Sequence, residues 1–284
     1  QLEEVVVQLQ SIHSGHLMAG VDRLKLNDNL FKLITSDNGP ARTGFHPHGE
    51  TGGLSDRKGW LTEGGIRVPG ILQWSGKTRP DSTSEVPVSG VDLLPTLCEI
   101  AGIEKPTDRT IDGSSFLPLL KGKPMQRHKP LYWHFYAASG KHKVAMRIGD
   151  WKILAHLDAP EMSRRVDLTT LDQKALKTAK LGKLELYNLR EDPTESNDLA
   201  SSEAGRLDKM GKRLRKMYEE VQNECPVWPE WKWERYGRKV PVKNQDLWQR
   251  VDRAIHFHNL ECRRCGPLWK NIDAVDPATA DKHI

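Results

Sequence analysis

Asp37 and Asn38 stand side by side directly after a short apolar run, and Lys58 follows in a Lys-Gly pair further along the same polar stretch. A carboxylate beside a carboxamide offers hard oxygen donors, which suit calcium (Ca2+) or Mg2+ rather than a soft metal. A lysine ammonium is a compact charge for the oxygens of an anion. Between these points lie His46 and His48, whose imidazoles titrate near neutral pH and can donate to a leaving-group oxygen or a sugar hydroxyl. Each feature also has a plain reading. Asp-Asn-Gly forms an Asx turn through its own backbone, and a lysine in a charged loop is usually only solvated.

The elements that must position these residues read as mixed α and β. Asn29 to Ser36, NLFKLITS, has the length of a buried strand, and RVPGILQWSG reads as a second one. VDLLPTLCEIAGI predicts a helix with Leu93, Leu94, Leu97 and Ile100 on one face, Pro95 in its first turn and Gly102 at its stop. Residues 1–125 therefore read as an α/β layer. On that reading Asp37-Asn38 sits beyond the carboxyl end of a strand, where parallel α/β sheets bind ligands.

Residues 126–224 change character. LYWHFY, HKVAMRIG, WKILAHL and KLELYNL predict a small antiparallel sheet, with a two-residue hairpin at Gly149-Asp150. A helix from about Ser202 to Gln222, with Leu207, Met210, Leu214, Met217 and Val221 on one side, is expected to cover it. The polar, basic stretch 158–182 reads as a surface insertion. Residues 225–284 form a tryptophan-rich extension, expected to wrap over the body because such dense tryptophans seldom stay solvated.

Composition narrows the classes. The chain is 37% apolar and 29% charged, with a net charge of +5 whose basic residues alternate with acids. That pattern argues against nucleic acid, which needs a one-signed patch. No apolar run spans a bilayer, and the first thirty residues lack the basic start and apolar core of a signal peptide. Four cysteines are too few for a disulfide scaffold. Cys98 falls in a helix core, while Cys262-x-x-Cys265, with His256 and His258 nearby, is open to a zinc knuckle, a disulfide or free thiols.

Taken in order, S-D-N-G-P, K-G-W-L-T-E-G-G-I-R-V-P-G-I, S-G-V-D-L-L-P-T-L-C-E-I-A-G-I and D-G-x-S resemble the C-terminal half of a type I sulfatase, in the alkaline phosphatase superfamily. M-R-I-G-D-W-K-I-L and E-L-Y-N-L-R-E-D-P-T-E-S-N-D-L-A are similar to that family's closing sheet and the turn before its last helix. The resemblance covers roughly residues 17–220. It implies the fold: part of a sulfatase-like α/β sheet with flanking helices, plus a small antiparallel sheet covered by a helix. It also implies that Asp37 and Asn38 ligate a divalent cation, usually calcium, and that Lys58 contacts the sulfate. Gly64, Gly65 and Arg67 match positions read as structural, with Arg67 pairing a buried acid or, as the alternative, meeting substrate. His46 and His48 lie in a variable loop where relatives place substrate-facing residues. His13 and His16 receive no role.

The family's nucleophile is a formylglycine made from a cysteine or serine in a Cys-x-Pro-x-Arg type motif, and none of the four cysteines here fits it. Formylglycine is accordingly expected from an N-terminal half, and these residues alone are not expected to turn over. The substrate class implied is a sulfate ester, on a sulfated carbohydrate or an aryl carrier, in a secreted, periplasmic or lysosome-like setting. Two rivals stand beside it: a non-catalytic anion- or glycan-binding remnant of the fold, and a phosphatase or phosphodiesterase of the same superfamily.

Overall fold

The computed structural model describes residues 14–41, 49–159 and 170–225, and two short strands beyond them. The chain divides into two compact units, one of residues 1–164 and 174–226, the other of 165–173 and 227–284.

In the first unit, α1 (Ser14–Arg23) leads into β1 (Phe31–Thr35). The short α2 (Glu63–Ile66) precedes β2 (Gly70–Trp74). β1 and β2 pair antiparallel, with Phe31 opposite Trp74 and Ile34 opposite Ile71. Every strand pair among the described residues is antiparallel. The expected placement of Asp37-Asn38 beyond the carboxyl end of a strand holds, but the parallel neighbours assumed for it do not occur there. Phe31 and Trp74 meet edge to face at 5.6 Å and build a core with Phe116 and Leu117. The other side of the pair leaves Ile34 and Ile71 exposed.

α3 (Leu93–Ala101) is the predicted helix, and Gly102 ends it at a φ of 66°, a left-handed conformation that glycine adopts without a Cβ penalty. Leu93, Leu97 and Ile100 pack against the Phe31 core, and Cys98 is buried as expected. Leu94 departs from expectation and is exposed. Its residue contribution to the period is real, but the stripe facing the core is narrower than the apolar set. The buried Asp92 carboxylate anchors the start of the helix, accepting hydrogen bonds from Ser89 N–H at 2.8 Å, Ser114 N–H at 2.9 Å and both guanidinium nitrogens of Arg127. The S-G-V-D and D-G-x-S segments are thus two sides of one scaffold. After α3 comes α4 (Leu117–Leu120).

β3 (Leu131–His134), β4 (His142–Ile148), β5 (Trp151–Asp158) and β6 (Lys180–Asn188) form the expected antiparallel sheet in that spatial order. Gly149, at a φ of 60°, makes the two-residue turn between β4 and β5 possible. α5 (Thr170–Thr178) lies in the stretch read as an insertion, of which 160–169 fall outside the described residues. α6 (Ala204–Glu224) covers one face of the sheet. Met210, Leu214 and Tyr218 pack there on Val144, Met146, Ile153, Ala155 and Leu186. The opposite face packs Ala145, Leu154 and Tyr187 on Leu61 and Ala138. Burial on both faces is why β5 reads as a continuous apolar run rather than an alternating one.

In the second unit, β7 (Lys232–Arg235) and β8 (Arg238–Pro241) form a hairpin. The expectations for the rest of the tryptophan-rich extension, and for Cys262, Cys265, His256 and His258, lie outside the described residues. No described helix is long and apolar enough to cross a membrane.

Candidate active site

β1 ends at Thr35, and the backbone turns at once through Ser36, Asp37 and Asn38. Ser36 Oγ donates to the Asn38 carbonyl at 2.9 Å, which holds the turn. Asp37 is exposed and Asn38 half-buried. Both side chains line an open cleft of about 450 Å³, together with Glu50, Lys58 and Arg67. The structure therefore brings the predicted acid, amide and lysine to one site. Glu50 was not anticipated, because a lone acid in a polar loop carries no spacing signal.

Two backbone bonds hold the facing walls of this cleft together. Gly39 N–H donates to Gly65 C=O at 2.9 Å, and Lys58 N–H donates to Pro40 C=O at 3.1 Å. The first contact requires glycine. A Cβ on Gly39 would sit 1.9 Å from the Gly64 carbonyl oxygen, and one on Gly64 would sit 2.3 Å from that of Ser55. These glycines let two backbones approach within hydrogen-bond reach, in agreement with the structural reading of Gly64 and Gly65.

The Lys58 segment is fixed from behind by ionic contacts. Glu63, at the start of α2, is buried. Its carboxylate meets Lys152 Nζ at 2.9 Å and Arg147 Nη1 at 3.4 Å, while its backbone N–H donates to Glu195 Oε2 at 2.5 Å. Lys152 also meets Glu195 Oε1 at 2.8 Å. Burial pushes the Glu195 carboxyl above its usual range, against the pull of Lys152. Arg67 reaches Glu63 at 3.9 Å with its side chain 48% exposed. It therefore takes the predicted buried acid as partner and still lines the cleft.

Among the described residues Lys58 is exposed and has neither a carboxylate nor a hydrogen-bond acceptor for its ammonium. His46 and His48 lie outside the described residues, as does His13. The segment that carries His46 and His48 leaves at Ala41 and returns at Gly49, where a Cβ on Gly49 would lie 2.5 Å from the Ala41 carbonyl oxygen. Ala41 and Glu50, beside these two points, line the cleft.

Residues 49–178 match the model of the N-sulphoglucosamine sulphohydrolase C-terminal family. Human arylsulfatase A is 34% identical over 195 residues, covering 67% of this chain and 37% of that protein. Rat steryl-sulfatase is 38% identical over 126 residues, covering 43% of this chain and 22% of that protein. Mouse N-acetylgalactosamine-6-sulfatase is 34% identical over 145 residues, or 50% and 26% of the two chains. The chain thus spans well under half the length of these relatives. Among solved structures, a sulfatase from Pseudoalteromonas sp. superposes with a TM-score of 0.54 at 23% identity, over 75% of this chain and 42% of that one; it bears on the fold alone. Since the match to the family model spans the Lys58, Glu63 and Lys152 segments, and the alignments to sulfatases extend it to two thirds of the residues, the chain belongs to the sulfatase family.

Proposed function

We propose that this chain supplies part of the active site of a sulfate ester hydrolase. In this reading Asp37 and Asn38 hold a divalent cation, Ca2+ first and Mg2+ as the alternative, Lys58 contacts the sulfate, and His46 and His48 face the carrier. The observation that carries it is the convergence of Asp37, Asn38 and an exposed Lys58 on one open cleft. The donor set fits the metal: Asp37, Asn38 and the neighbouring Glu50 offer only oxygen, the preference of a hard cation. Once bound, the cation supplies positive charge against the charge that develops on the sulfate oxygens. Lys58 adds to it from the same cleft, where its backbone bond to Pro40 ties it to the turn. Charge placed in advance in this way needs no reorganisation during the reaction.

The nucleophile comes from outside these residues, since no cysteine here lies in a Cys-x-Pro-x-Arg type motif. A formylglycine segment is its source in this reading. The exposed Ile34–Ile71 pair on the β1–β2 surface is an apolar patch that a further layer of the same domain would cover. The 284 residues alone therefore bind an anion without turning over. The carrier is a carbohydrate or an aryl group, and relatives named for steryl, aryl and amino-sugar sulfates span that range. The compartment is secreted, periplasmic or lysosome-like. The alternative reading is a non-catalytic anion- or glycan-binding remnant of the fold.

The test joins this chain to an N-terminal sulfatase segment that carries the nucleophile motif, and compares sulfate with phosphate release from 4-nitrophenyl esters. Sulfate release above phosphate release is expected. Equal or greater phosphate release overturns the sulfatase reading in favour of a phosphatase. Calcium-dependent glycan binding with no hydrolysis supports the remnant.

A further inference from the structure

A second group of ligand-type side chains lies on the small sheet, and none of its members lines the Asp37–Lys58 cleft. His142 on β4 and His156 on β5 are register partners, with ring centroids 5.1 Å apart. Glu185 on β6 completes the group. His142 Nε2 is 2.6 Å from Glu185 Oε2, and His156 Nε2 is 3.5 Å from Glu185 Oε1. All three ligand atoms lie within 4.8 Å of one another.

Two observations separate this group from an ordinary surface network. His156 Nε2 is buried and has no hydrogen-bond partner, although a buried polar atom left unsatisfied is costly. A simple network accounts for His142 and Glu185 and leaves this nitrogen orphaned. The register also shifts beside each histidine, between His142 and Val144 and between Ala155 and Leu157. Such bulges re-aim side chains and gather near functional sites.

We propose that His142, His156 and Glu185 form a metal site for a borderline divalent transition ion, Zn2+ above all, which ties three strands of the sheet together. Two imidazoles and one carboxylate suit zinc, whereas calcium prefers oxygen alone. Donors on a tetrahedral ion at about 2.0–2.2 Å lie about 3.3–3.6 Å apart. The His156–Glu185 separation already falls there, and the His142–Glu185 hydrogen bond lengthens to admit the ion. Tyr187 OH donates to Glu185 Oε2 at 3.0 Å, the kind of outer bond that orients a ligating carboxylate. Lys183 Nζ, 2.8 Å from Glu185 Oε1 and 63% exposed, is the competing cation. It yields to solvent when the ion binds, and water takes the fourth position.

The experiment titrates the full chain, freed of metal by a chelator, with Zn2+ by calorimetry, and follows the thermal midpoint in parallel. Cys262 and Cys265 are a second potential zinc pair, so C262S/C265S is measured beside the parent. The expected result is one equivalent of zinc retained in C262S/C265S, with a raised midpoint. His156→Gln and Glu185→Gln, which keep side-chain size, each weaken that equivalent at least tenfold, and millimolar Ca2+ does not displace it. Circular dichroism verifies that both variants fold, and a misfolded one is replaced by His142→Gln. Zinc binding of unchanged strength in the Gln variants, or lost entirely in C262S/C265S, overturns the proposal.

Discussion

Lys152 Nζ lies 2.9 Å from Glu63 Oε1 with both side chains withdrawn from water, and the same ammonium is 2.8 Å from Glu195 Oε1. One lysine thus pairs with two buried carboxylates, beside Arg147 on Glu63, and joins the start of α2, strand β5 and the turn before α6. Replacing it by Met leaves both acids facing each other. Breaking one side of a buried ion pair typically costs about 3–5 kcal/mol, and K152M is expected to lose stability on that scale in urea denaturation. E63Q/K152M should recover part of the loss, because one of the orphaned charges is gone. A change below about 1 kcal/mol in K152M would mean that Arg147, 3.4 Å from Glu63, already neutralises the site.

Gly39 and Gly70 make a matched pair for testing the cleft's backbone clamp. An added Cβ meets the Gly64 carbonyl oxygen at 1.9 Å in the first case and nothing within 4 Å in the second. Gly39→Ala is expected to destabilise by about 1–3 kcal/mol, as forced overpacking does, and to weaken anion binding in the cleft. Gly70→Ala should change stability by less than about 0.5 kcal/mol. Equal melting temperatures for the two variants would remove the close approach from the account.

His134 should make the protein acid-sensitive. Its ring packs 5.4 Å from that of Tyr218, its Nε2 is buried without a partner, and burial lowers its pKa from 6.5 to about 4. The unfolded chain binds a proton between these two values and the folded one does not. Stability is therefore full above pH 6.5 and is lost as pH falls towards 4, by at most about 3 kcal/mol. His134→Phe removes the titrating group, so its stability profile should be flatter over that window. An unchanged slope would assign the acid sensitivity to other groups.

Asp37 and Lys58 should separate in their effects. If the proposed function holds, Asp37→Ala removes the charged oxygen ligand and is expected to weaken calcium binding at least tenfold by calorimetry, while Lys58→Ala leaves it within about twofold and weakens sulfate binding instead. Calcium loss in the lysine variant would mean that Lys58 positions the turn rather than meeting the anion.

The sequence exposed some of these relationships and hid others, for physical reasons. The strands, the helix ending at Gly102 and the covering helix α6 are local, since period and turn chemistry reside in neighbouring residues. Asp37, Asn38 and Lys58 were legible because family motifs carry them. Glu63 was not legible as a buried charge. An acid in a glycine-rich loop reads as solvated, and it is the distant partners Lys152 and Arg147 that make burial tolerable. Leu94 illustrates the reverse case, an apolar residue in period that no element among the described residues covers. His142, His156 and Glu185 went unremarked for the same reason as Glu63: cross-strand partners leave no spacing pattern along the chain.

The contacts of Glu63 run 89 residues forward to Lys152 and 132 residues forward to Glu195. Contacts of such separation form late, since the loops they close must be ordered before the pairing stabilises them. Asp37 and Lys58 precede these partners along the chain, yet the packing around the Lys58 segment is completed only when the sheet and the 192–198 turn have folded. A chain arrested before that point carries Asp37 and Lys58 without the packing that sets their spacing, so on the proposed reading calcium or anion binding at the cleft would report on the maturity of the whole unit.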